Sequence, residues 1–112
     1  MRNRTLWLWT TSAMLLFCAA AFAQITPLQD AYTNSADPTT NFGANVLLDV
    51  DGATQIAYIQ FDLASVPATA TISQATLKLY VNTVTTAGSF NVNYVTSAWT
   101  ESTITDDNGL AL

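Results

Sequence analysis

Residues 59–80 constrain the chain most: Ile-Gln-Phe-Asp-Leu-Ala-Ser-Val-Pro-Ala-Thr-Ala-Thr-Ile-Ser-Gln-Ala-Thr-Leu-Lys-Leu-Tyr places two alternating runs on either side of a proline. Pro67 has no amide to give to a ladder and biases Val66 towards an extended backbone, so the first strand must end before it. That strand, 55–63, alternates in two registers, Ala57, Ile59, Phe61 and Leu63 against Ile56, Tyr58, Gln60 and Asp62. The first set is wholly apolar and is predicted to face the core. Asp62 and Ser65 are placed to satisfy free amides in the turn. Beyond it Ala75, Leu77, Leu79 and Val81 alternate with Thr76, Lys78, Tyr80 and Asn82, which predicts a half-buried strand with its polar side in water.

The rest of the chain from Gln24 agrees with this. It is rich in Thr, Val, Ile, Tyr and Asn and nowhere shows the i, i+3, i+4, i+7 spacing of an amphipathic helix. Strand-like runs are separated by turn chemistry at about ten-residue intervals, as in an all-β sandwich or barrel. One run covers 28–33 and gives way to a long loop of turn formers, 34–43, whose Gly43 suits a positive φ. Another covers 46–50 and stops at Asp51-Gly52, a pair that commonly turns one strand onto another. Phe90, Val92 and Tyr94 continue the alternation after a loop around Gly88. About five strands result, fewer than the roughly seven of a sandwich.

The first 23 residues have a different character. Arg2 and Arg4 precede an apolar run that closes on Ala21-Phe22-Ala23, the small-x-small cleavage pattern of a helical secretory signal peptide. The run is interrupted by Thr10, Thr11 and Ser12, and a spanning helix needs about 20 apolar residues. The expected division is therefore a signal peptide, 1–23, and one mature domain, 24–112, exported to the extracellular space. Cys18 falls in the leader, and bulky Phe17 stands where a lipoprotein signal wants a small residue, so lipid anchoring at Cys18 is disfavoured. The mature chain keeps all eight acids against Lys78 alone, a net charge of −7. A single lysine makes no basic patch, which argues against nucleic acid and, after signal cleavage, against anionic membranes as partners.

In this order the chain resembles the DNRLRE domains, secreted bacterial and archaeal modules related to a disaggregatase module and classed among carbohydrate-binding modules. Five blocks carry the resemblance: Gln29-Asp30-Ala31-Tyr32, Asn41-Phe42-Gly43, Phe61-Asp62-Leu63 to Pro67, Ala75-Thr76-Leu77-Lys78-Leu79-Tyr80, and Ala98-Trp99-Thr100-Glu101-Ser102-Thr103-Ile104-Thr105. The resemblance implies a jelly-roll-like β-sandwich, secretion within a larger extracellular protein, and binding without catalysis. Family members continue past the Trp-x-Glu block into further strands, whereas here Asp106-Asp107-Asn108-Gly109 follows and the sequence stops at Leu112. The expectation is thus an incomplete sandwich with its final strands missing, which a downstream domain or another chain would complete.

The mature chain has neither histidine nor cysteine, which removes imidazole and thiolate nucleophiles and the usual zinc ligands. A glycosidase-like pair can be drawn from Asp49, Asp51, Asp62 or Glu101, but eight acids in a small domain make such pairs by chance, and no enzyme is expected. Asp49-Val50-Asp51-Gly52 fails as an EF-hand because the twelfth position holds Gln60 instead of a bidentate glutamate. A structural calcium would draw on the loop oxygens of Asp30, Asp37 and Asn41, with a solvated acidic loop as the alternative. For sugar contact the aromatic candidates are Tyr32, Phe42, Tyr58, Tyr80 and Trp99. Phe42 and Trp99 suit core packing as well, and Tyr32 and Tyr80, beside polar neighbours, are the better exposed platforms; the candidate site is Tyr32, Tyr80 and Trp99. With so acidic a chain, a neutral polysaccharide is the expected ligand. A structural or adhesive sandwich of a cell-surface or matrix protein, without a glycan site, is the alternative.

Overall fold

The computed structural model describes residues 24–52 and 54–110, so the expected signal peptide lies outside the described residues. The described chain is all-β with no helix, in keeping with an incomplete β-sandwich. Strand β1 (Pro27–Asn34) pairs antiparallel with strand β2 (Gln55–Phe61) in one two-stranded sheet. Ala31 stands opposite Tyr58 and Tyr32 opposite Ala57, with an irregularity in register between Pro27 and Gln29.

Turn chemistry joins the two strands. Asn34 closes β1 with its Oδ1 accepting from the Ala36 amide at 3.0 Å and its carbonyl from the Asp37 amide at 3.0 Å. At the other end of the loop Asp51 and Gln55 form an isolated bridge around Gly52, whose φ of 54° lies in the left-handed region that glycine adopts without steric cost. The Asp51-Gly52 turn therefore forms as expected, but no strand precedes it: residues 46–50 pair with nothing among the described residues, and Val46 is 96% exposed.

The core is built on the face of the sheet that the alternation assigned to solvent. Ala31, Tyr58 and Ile104 are buried together, ringed by Ile56, Val95, Trp99 and Leu110. Ala57, Ile59 and Phe61 are only half-buried and Leu63 is 58% exposed, so the predicted core register of β2 is reversed. The cause lies far along the chain. Both registers of β2 are apolar enough to bury, and residues 99–110 come back to cover the Ile56–Tyr58 side, with the Tyr58 ring tilted against Trp99 at 5.7 Å.

Past β2 the sheet does not continue. Asp62 makes its expected turn, Oδ1 accepting from the Ala64 amide at 2.8 Å, and Val66 and Ala70 each close a further turn. The expected strands at 75–82 and 90–94 form no ladder among the described residues, and Leu77, Leu79, Val81, Phe90 and Val92 are exposed. Alternation gives a segment the shape of a strand, but a strand also needs a neighbour for its amides and carbonyls. Among the described residues none stands beside these.

Candidate functional site

Three sequence blocks that lie up to about seventy positions apart converge on one knot. Gln29 in β1 accepts through Oε1 from the Glu101 amide at 3.0 Å and donates through Nε2 to the Trp99 carbonyl at 3.2 Å and to Gln60. Glu101 answers with its carboxylate, accepting from the Asp30 amide at 3.0 Å. Asn41 donates through Nδ2 to the carbonyls of Glu101 and Ile104, both at 2.7 Å, while its Oδ1 accepts from the Gly43 amide at 3.3 Å. Residues 99–104 are thereby strapped across the sheet by side chains instead of by a β-ladder. The charged acceptor strengthens its bond relative to a neutral one.

Gly43 explains why this loop is built as Asn-Phe-Gly. A Cβ at position 43 would sit 2.2 Å from the Glu101 carbonyl oxygen, so the backbone can approach the strap only without a side chain. The positive φ expected there does not occur; space, and not left-handed geometry, selects glycine. Phe42 in turn stacks on Tyr32, with ring centroids 4.6 Å apart and planes inclined by 16°, and Asn45 Nδ2 donates to the Tyr32 hydroxyl at 3.0 Å.

These contacts redistribute the candidate binding residues. Tyr32 is buried, 5% exposed, with a ring face against Phe42 and its hydroxyl occupied, so it is a packing residue and offers no platform to a ligand. Trp99 is half-buried at the edge of the core and walls an open cleft of about 210 Å³ with Thr100, Thr103, Asn108 and Leu110. That is below the roughly 300 Å³ at which small-molecule pockets begin, and it suits a shallow contact along a surface. Two of its polar groups serve the fold: Asn108 accepts from the Thr105 amide and donates to the Thr103 carbonyl. Tyr80, 92% exposed, and Tyr94, 90% exposed, stand on the open segment; Tyr94 shares its register with Phe90 and Val92, which marks it as a core residue in the sequence, and its exposure is a finding of the structure. Tyr32 is thus spent on packing, while Tyr80 and Trp99 keep exposed surface.

The candidate calcium ligands differ in how they are engaged. The Asn41 amide is committed on both sides to the strap and the Gly43 turn. Asp30 and Asp37 are exposed carboxylates, one on β1 and one in the following loop, and among the described residues no three His, Cys, Asp or Glu side chains gather as a metal-holding group. Of the carboxylates considered for acid–base work, Glu101 and Asp62 are both engaged in holding backbone amides.

A comparison with protein families identifies carbohydrate-binding module family 96, whose model matches residues 21–109. No curated protein and no solved structure matches the chain.

Proposed function

Because the chain belongs to carbohydrate-binding module family 96, we propose that it is a secreted, non-catalytic module of a larger extracellular protein and that it binds polysaccharide. Neutral glycans are favoured, since the mature chain sets eight acids against Lys78. The observation that carries the reading onto particular residues is the exposure of Tyr80: a flat apolar ring with a polar rim, free of internal contacts, is what a sugar face stacks on. Trp99 adds a second aromatic surface beside its shallow cleft. The DNRLRE label, a jelly-roll topology and completion of the sandwich by further strands belong to the same proposal, supported by the order of the five blocks and by the unpaired alternating segment.

Retardation of the purified protein in gels containing a panel of glycans tests this. Tyr80→Ala is expected to abolish or sharply reduce retardation while leaving the melting temperature in place, because Tyr80 supports nothing else. Trp99→Ala reads less cleanly, since it also removes the partner of Tyr58. A structural or adhesive sandwich is the second reading, favoured by the knot itself: Gln29, Asn41 and Glu101 spend their polar groups on the chain and not on a ligand. Absence of retardation on every glycan would select it.

A further inference from the structure

The last turn of the strap carries chemistry that neither the core nor glycan binding uses. Among the asparagines of the chain only Asn108 is followed by glycine. The neighbour matters because a backbone nitrogen attacks the preceding side-chain amide by bending into a five-membered ring. Glycine, without a Cβ, leaves that approach open and the backbone free to bend.

The fold engages both reacting groups elsewhere. Asn108 Oδ1 accepts from the Thr105 amide at 2.7 Å, its Nδ2 donates to the Thr103 carbonyl at 2.9 Å, and the Gly109 amide donates to the Asp106 carbonyl at 3.2 Å. All three bonds run back along the chain, so the ring closes only after they break. Two anchors keep the turn shut: the Ile104 carbonyl is clamped by Asn41, and the Asp107 amide donates to the Pro38 carbonyl at 2.9 Å. Asn108 itself is exposed, so water reaches it.

We propose that Asn108 is a deamidation site gated by the strap: it reacts when residues 99–110 lift, and once reacted it weakens their closure. In the open state the Gly109 nitrogen loses its proton and bonds to Asn108 Cγ; the Cγ–Nδ2 bond breaks, and the nitrogen takes up a proton and leaves as ammonia. Water then opens the cyclic imide at either carbonyl, leaving aspartate or isoaspartate at position 108. The Thr103 carbonyl loses its donor and faces a carboxylate, and isoaspartate lengthens the turn by one backbone carbon. A negative charge also arrives in the cleft beside Trp99. None of this requires that the chain bind sugar.

The purified full chain and a synthetic peptide of residues 103–110, too short to fold, are incubated side by side in mildly alkaline buffer, and mass spectrometry follows conversion of amide to acid at each asparagine. Reaction is expected first at Asn108, as a mixture of aspartate and isoaspartate, and at least about tenfold slower in the chain than in the peptide, the ratio being the open fraction of the turn. Asn41→Ala should bring the chain close to the peptide rate. Glu101→Gln, which keeps an acceptor for the Asp30 amide and loses only its charge, should give a smaller rise in a chain that still folds. Gly88→Ala should leave the rate at that of the parent. The reacted protein, separated by its added charge, should melt below the unreacted one. Equal rates in chain and peptide, no rise in either strap variant, earlier reaction at another asparagine, aspartate without isoaspartate, or a reacted protein as stable as its parent would each overturn the proposal.

Discussion

Residues 55–61 and residues 75–82 each carry an apolar register at every second position, yet among the described residues only the first is a strand. Composition does not separate them. What separates them is company: β2 has β1 along one edge and the returning strap of 99–110 over one face, whereas 75–82 has neither. A two-stranded hairpin is marginal in water, and here the strap supplies the third layer that makes it hold. The packed part is thus assembled from two distant ends of the described chain, and the exposed part lies between them in sequence.

That contrast can be broken by substitutions on the packed side that should be silent on the other. The largest effect is expected from Tyr58→Ala, which empties the centre of the Ala31–Ile104 core and should cost about 4 kcal/mol in urea unfolding, enough to leave little folded protein. Gly43→Ala comes next: the added methyl meets the Glu101 carbonyl, and either the loop or the strap must shift, at about 3 kcal/mol. Its control is Gly88→Ala, where no atom lies within 4 Å, expected within roughly 0.5 kcal/mol of the parent. Asn41→Ala removes the donor for two carbonyls and should cost about 2 kcal/mol, with the loss seen as faster amide exchange at Asp30 and in 99–104. Val84→Ser should change stability by less than about 0.5 kcal/mol, being exposed and outside the packed part.

One measurement sharpens the comparison without altering the packed part. Among the described residues trypsin has a single target, Lys78, in the unpaired segment. Cleavage there should be rapid, and the two pieces should stay together on a sizing column, because the strap bonds and the Tyr58–Trp99 contact do not pass through residue 78. Pieces that separate on cutting would show that 62–98 contributes to holding the ends.

Local features were legible in the sequence and distant ones were not. The Asp51-Gly52 turn, the end of β2 before Pro67 and the Asp62 turn are decided within a few residues, and all three form. The inward face of β2 is decided by Trp99 and Ile104, which alternation cannot see; with Ile56 and Tyr58 on one register and Ile59 and Phe61 on the other, the local pattern pointed the wrong way. The turn formers around Gly43 suggest a conformational glycine, while its real constraint comes from a carbonyl 58 positions along the chain. Tyr32 looked exposed beside Thr33 and Asp30, and only the fold of the 34–43 loop brings Phe42 over it. The blocks quoted for the family resemblance held a clue of another sort: Gln29, Asn41 and Glu101 are amides and a carboxylate, groups suited to grip backbone, and three of the five blocks meet there.

The Asn41 clamp also sets the order in which this protein can be finished. Both β-strands have been synthesised by residue 61, yet Asn41 has no carbonyl to hold and Tyr58 no cover until residues 101–104 exist. Closing contacts 60 and 63 positions apart must bring together a long intervening chain, and such non-local closure is slow relative to hairpin formation. For that interval the nascent hairpin presents a bare aromatic face, a state that a chaperone is suited to shield.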